Sequence, residues 1–226
     1  MNKIFAASLV LAALAVAAPA TFAIDIKMLP GGENNPVIVP QFPDKLTVDG
    51  DPAKWANITA LPAPWSRKPA GAVKLAWKDD GLYGSIHVVT DNIQVDNSHP
   101  WNGDAIEIWL DEGAVHADVM GPTTSQIAFV PNPSSGDGPA TVIVASGTIA
   151  VAAITAMWKK VPDGYVVEFC IPSSQLKAST MAPGTKFGFN YCIDKEGKPT
   201  EQFFCDKNIE TGYATPSAWG YLQLGK

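Results

Sequence analysis

The sequence predicts an all-β fold, a single antiparallel β-sandwich of jelly-roll-like form. Three observations carry that prediction. From about residue 45 onward, short segments alternate apolar and polar residues at period two, the mark of strands with one face in a core. Gly, Pro and Asp clusters separate the segments, as at Asp79-Asp80-Gly81 and Pro162-Asp163-Gly164. The intervals between them leave no room for the regular crossover helices that a parallel sheet requires.

The chain opens with Asn2 and Lys3, an apolar run from Ile4 to Ala18, and small residues around Ala20 and Ala23. This pattern is that of a secretion leader, residues 1–23, with cleavage after Ala23 and Ala20 as the other candidate. The run is too short for a membrane anchor. Residues 24–44, with Pro30, Gly31, Gly32, Pro36, Pro40 and Pro43, read as an extended N-terminal arm. Residues 45–226 then form the sandwich.

Within it, Val73, Leu75 and Trp77 alternate with Lys74, Ala76 and Lys78, and Ile106, Ile108 and Leu110 alternate with Glu107 and Trp109. Further strands are expected at Leu82–Thr90, Gln126–Val130, Thr141–Ala145, Ala150–Lys160, Tyr165–Ile171, Lys186–Ile193, Gln202–Cys205 and Tyr221–Leu224. A single helical turn suits Ser173 to Lys177, after Ile171-Pro172. No repeat is visible.

Composition narrows the ligand. The formal net charge is −6, Arg67 is the one arginine, and charged residues make up 17% of the chain. No basic stripe exists to displace counterions from phosphates, which excludes a nucleic-acid binder. Seven Trp, five Tyr and nine Phe in so weakly charged a chain suit a neutral, hydroxyl-rich ligand. The expected location is secreted or periplasmic, with no membrane span.

Several motifs stand in a telling order. Leu46-Thr47-Val48-Asp49-Gly50-Asp51 with Trp55 is followed by Leu75-Ala76-Trp77-Lys78-Asp79-Asp80 with Leu82-Tyr83. Asp96-Asn97-Ser98-His99-Pro100-Trp101 then leads to Asp104-Ala105-Ile106-Glu107-Ile108. The second half adds Gly164-Tyr165-Val166-Val167-Glu168, Ile171-Pro172, Phe187-Gly188-Phe189-Asn190, and Pro216 with Trp219-Gly220-Tyr221-Leu222. In this order and spacing, over about residues 45 to 225, the chain resembles the family 9 carbohydrate-binding modules of the DOMON-like sandwich superfamily.

The resemblance implies an exported, non-catalytic module that holds the end of an oligo- or polysaccharide between two aromatic rings. It further implies service in carbohydrate catabolism beside a separate glycoside hydrolase. Trp101 maps onto the first ring and Tyr213 onto the second, where a characterised sugar binder carries tryptophan. Glu107 maps onto the glutamate beneath the rings, and the strand alternation independently turns it away from the core. Asn190 shares the corresponding face of its own strand, and Gln126 lies beside the alignment position of the family's arginine. That arginine falls at Ala128 and the family's glutamine at Cys192, so a cello-oligosaccharide specificity does not transfer.

Three cysteines, Cys170, Cys192 and Cys205, allow at most one intramolecular bridge. Folding the chain back at Lys195-Glu196-Gly197-Lys198-Pro199 puts Cys192 nearly opposite Cys205, and a Cys192–Cys205 disulfide is expected on that ground, with buried free thiols as the alternative. Members of the family commonly hold a structural calcium, and the acidic loop with Asp91, Asp96, Asn97 and Asp104 offers hard oxygen ligands. No organic cofactor is expected. A carboxylate pair such as Glu107 with Asp104 or Asp111 would be the only glycosidase-like feature, and no hydrolase activity is expected. The competing reading is an exported electron-transfer protein with haem on the same sandwich, for which Met120, His116 and Met157 are the available ligands.

Overall fold

In the computed structural model, residues 28–43, 46–62, 69–203 and 209–226 are described. The leader-like residues 1–23 lie outside them. Among the described residues there are twelve strands, most of them on the period-two segments: β1 (Val37–Val39), β2 (Gly71–Lys78), β3 (Gly81–Val89), β4 (Ala105–Glu112), β5 (Thr124–Val130) and β6 (Gly138–Pro139). After them come β7 (Thr141–Ser146), β8 (Thr155–Val161), β9 (Gly164–Pro172), β10 (Lys186–Lys195), β11 (Lys198–Gln202) and β12 (Gly220–Leu224). One helical turn, α1 (Ile209–Gly212), precedes β12, and a 3-10 turn occupies Ser173–Gln175. Among the described residues no helix is long and apolar enough to cross a membrane.

The strands form two sheets. One runs β1-β12-β10-β4-β5-β7, with β11 attached to β10; the other runs β2-β3-β9-β8-β6. Strand β10 is ten residues long, so β12 pairs with its first half and β11 with its second. All pairings are antiparallel except β1 with β12. The segment expected as a plain extended arm thus also supplies an edge strand to the first sheet.

The core lies between the sheets, where alternation predicts it. Ile106, Ile108, Leu110, Ile127, Phe129, Phe187, Phe189, Tyr191 and Ile193 meet Val73, Leu75, Trp77, Ile86, Val167, Phe169 and Ile171. Phe129 stacks on Phe169 at 4.5 Å between centroids. Each such side chain contributes on the order of 1.5–3 kcal/mol by leaving water. What this core does for the site is orientation: fixing one face inward commits Glu107, Trp109, Asn190, Cys192 and Asp194 to the other.

Two segments depart from the expected strands. Val151–Ala153 is a 3-10 turn, so β8 begins at Thr155 and not near Ala150. At the far end of β10 the reversal is tighter than Lys195–Pro199. Lys195 pairs directly with Lys198, and only Glu196 (φ 53°) and Gly197 (φ 71°) make the turn. Two consecutive positive φ values match the right-handed strand twist, which is why two residues suffice. The second strand therefore starts earlier, at Lys198.

Candidate functional site

The outer face of the larger sheet carries a cleft of about 570 Å³, within the range of small-molecule sites. Glu107, Trp109, Gln126, Cys192, Asp194 and Gln202 line its floor. The cross-strand registers explain the gathering. Ala128, Glu107, Cys192 and Gln202 stand side by side on β5, β4, β10 and β11, and Gln126 stands opposite Trp109. The β5–β7 ladder slips next to Gln126, leaving Ala145 as an unmatched residue at the cleft margin.

Gln126 Nε2 donates to Glu107 Oε1 at 2.8 Å. Cys192 Sγ donates to Asp194 Oδ1 at 3.1 Å, and Gln202 Nε2 donates to Cys192 Sγ at 3.7 Å. Burial pushes Glu107 above the usual carboxylate range, and burial together with the Glu107 charge pushes Asp194 up to about 8. Burial likewise pushes the Cys192 thiol well up, so it serves as a neutral donor.

The rim holds the two rings. Trp101, in the 3-10 turn Pro100–Asn102, is 44% exposed and meets His99 edge to face at 5.9 Å. Its loop is tied down by Asp96, which accepts from the Ser98 and His99 amides at 2.8 and 3.0 Å, and by Asp104, which accepts from Gln94 N at 2.9 Å. Gly197 passes beneath, where a Cβ would lie 3.3 Å from Asn102 O. Tyr213 is 55% exposed beside α1, which Trp219 anchors by donating its Nε1 to Gly212 O. Both rings line the cleft.

Trp101, Glu107, Gln126 and Tyr213 are thus brought together. Asn190 is on the same face opposite Trp109, but it is fully buried, does not line the cleft and has neither amide atom partnered. The floor residues missed from the sequence are Trp109, Asp194 and Gln202. Asp194 lies four positions beyond Asn190 on the same strand face, so alternation alone would have found it.

The expected disulfide meets a different register. Cys192 stands opposite Gln202, because the two-residue turn shortens the hairpin, and Cys192 and Cys170 are free thiols. Cys205 itself lies outside the described residues. In the acidic loop expected to offer calcium ligands, Asp96 Oδ1 accepts two amides and Asp104 Oδ2 a third, Asp104 Oδ1 is buried without a partner, and among the described residues no three His, Cys, Asp or Glu side chains converge. Asp104 and Asp111 do not line the cleft with Glu107, and Asp111 accepts from His116 N and Thr123 Oγ1 instead. His116 stacks on Tyr221, and Met120 packs on the group formed by Trp109, Cys192 and Trp219. Neither they nor Met157 line the cleft.

A two-sheet sandwich with an open cleft on one sheet, polar groups on its floor and exposed rings at its mouth is the architecture of a ligand-binding module. The family model described as carbohydrate family 9 binding domain-like matches residues 51–226, and the chain belongs to that family. Endo-1,4-beta-xylanase A of Thermotoga neapolitana is 25% identical over 159 residues, which are 68% of this chain but only 14% of the xylanase. Among solved structures, a family 9 carbohydrate-binding module from Caldicellulosiruptor kristjanssonii in complex with cellotriose superposes with a TM-score of 0.67 at 23% identity, covering 84% of this chain and 93% of that one. A complex of such a module with glucose gives 0.66 at 23% identity, covering 84% and 96%. A putative carbohydrate-binding protein from Bacteroides uniformis gives 0.52 at 12% identity, covering 83% and 99%. These likenesses bear on the fold.

Proposed function

We propose that this protein binds the end of an oligo- or polysaccharide without cutting it, using Trp101 and Tyr213 as stacking surfaces and Glu107 and Gln126 as hydrogen-bonding groups. The observation that carries this reading is the pairing of two exposed aromatic rings with a buried, hydrogen-bonded carboxylate floor in one cleft. A pyranose has apolar C–H faces and a belt of hydroxyls, so it needs both kinds of group at once. Family membership and the cellotriose and glucose bound by the structurally similar modules support the same class of ligand. The leader-like residues 1–23 support export, and the xylanase relative supports a role beside glycoside hydrolases.

A glycan array probed with residues 24–226 tests the reading. Binding to a defined set of saccharide ends is expected, abolished by Trp101→Ala. An array with no bound glycan, or binding untouched by that substitution, overturns it.

A further inference from the structure

The floor of the cleft holds more acceptors than donors. Gln126 Nε2 is spent on Glu107, Gln202 Nε2 on Cys192, and the Cys192 thiol on Asp194. Left buried without a partner are two acceptors, Asp194 Oδ2 and Gln202 Oε1, and one donor, Trp109 Nε1. Asp194 is 1% exposed and Gln202 6%, so water does not readily serve them. No lysine, arginine or histidine is among the described residues that line the cleft. A ligand that completes this floor must bring donors and tolerate negative charge.

We propose that the sugar end this cleft selects carries a primary amine, with its ammonium held by the Glu107 and Asp194 carboxyl groups of the floor. The inference rests on the saccharide-binding reading above and narrows it. An ammonium offers three donors and no acceptor, matching the surplus, and its charge offsets the two carboxylates. A sugar hydroxyl brings one donor together with lone pairs that face the same oxygens. A uronate adds negative charge beside these carboxyl groups, with no lysine, arginine or histidine of the described lining to meet it.

The groups around Asp194 agree. Glu107, Asp104 and the Cys192 thiol face it, and the buried Tyr165 hydroxyl feels both Asp104 and Asp194. Lys195 and Glu196 act on Asp104 with opposite signs, and the Lys195 ammonium is engaged by Val89 O. The balance of the exchange is simple. Near neutral pH Asp194, pushed up to about 8, holds a proton in the free protein; the amine enters already protonated, and the Asp194 proton leaves to solvent.

Calorimetry of residues 24–226 with the glucosamine disaccharide, its N-acetylated counterpart and cellobiose tests this, in two buffers of different ionisation enthalpy at about 0.15 M salt. Near neutral pH the amine should bind at least about tenfold tighter than either neutral sugar, with net proton release. Asp194→Asn should collapse that ratio to within about twofold, and Glu107→Gln, the second variant, should do the same. Asp163→Asn, on the other sheet, should leave it unchanged. Neutral sugars binding as tightly as the amine, or a preference that survives both cleft variants, overturns the proposal while the saccharide reading stands. No binding by any of the three, with an empty glycan array, overturns both.

Discussion

Glu107 and Asp194 line one cleft floor, although Glu107 stands opposite Cys192 and Asp194 opposite Ala105 on the neighbouring strand. Both are buried, and burial together with the Glu107 charge pushes Asp194 up to about 8. The consequence for stability follows from linkage. An unfolded chain releases the Asp194 proton near the ordinary carboxylate value, whereas the folded chain keeps it until about pH 8. The stabilisation is therefore complete below about pH 4 and is lost as pH rises through about 8. Between about pH 5 and 9 the melting temperature of the wild type should fall more than that of Asp194→Asn. The variant keeps an acceptor for Cys192, and should melt several degrees higher than wild type at the alkaline end, at about 2–4 °C per kcal/mol. Parallel melting curves across that range would refute the retained Asp194 proton.

Trp101 should matter for binding and not for folding. Its ring is substantially exposed, and its loop is held by Asp96 and Asp104 rather than by the indole. Trp101→Ala should weaken saccharide binding by about 2 kcal/mol or more, near thirtyfold, while the thermal transition moves by no more than about 2 °C. Trp101→Phe should fall between. Titration of the strongest array ligand checks the first part and calorimetric melting the second.

Much of this was legible in the chain. Ile106, Ile108 and Leu110 fix the inner face of β4, and from that alone Glu107 and Trp109 must look outward. The failures have local causes. Reading Lys195–Pro199 as the reversal delays β11 by several residues, hides Gln202 and aligns Cys192 with Cys205, whereas Glu196 and Gly197 alone turn the chain. Nothing in an Asp-rich loop distinguishes metal ligands from amide acceptors, and here Asp96 Oδ1 and Asp104 Oδ2 accept backbone amides. Asn190 shows the limit of alternation: it gives the correct face but not whether neighbouring side chains bury the residue away from the cleft.

The same turn yields a test. Gly197 has φ 71°, and a Cβ there would lie 3.3 Å from Asn102 O under the Trp101 loop. Gly197→Ala should cost on the order of 1 kcal/mol from the left-handed backbone. It should also weaken saccharide binding, because the displaced Asn102 neighbours Trp101. A variant with wild-type stability would place the reversal elsewhere in the segment.

Glu168, on the opposite side of the molecule, should have the reverse profile. It lies on β9 with its side chain fully buried, on the outer face of the smaller sheet. Its carboxylate accepts from Asp49 N at 2.8 Å, Gly50 N at 2.7 Å, Trp55 Nε1 at 2.9 Å and Lys54 Nζ at 3.0 Å. These bonds clamp the segment entering the sandwich over that sheet, where Leu46, Trp55, Ala76 and Tyr83 form a second small core. Glu168→Ala strands the Trp55 indole and the Gly50 amide without partners and leaves Lys54 to Asp49 and the Thr47 carbonyl. The cost should reach about 3–5 kcal/mol, or at least about 6 °C in melting temperature. Glu168→Gln keeps one acceptor oxygen and should lose less. Because the cleft lies on the other sheet, saccharide affinity measured well below the melting point should stay within about twofold of wild type for both. Affinity lost in step with stability would mean that the two sheets do not act as independent supports for the cleft.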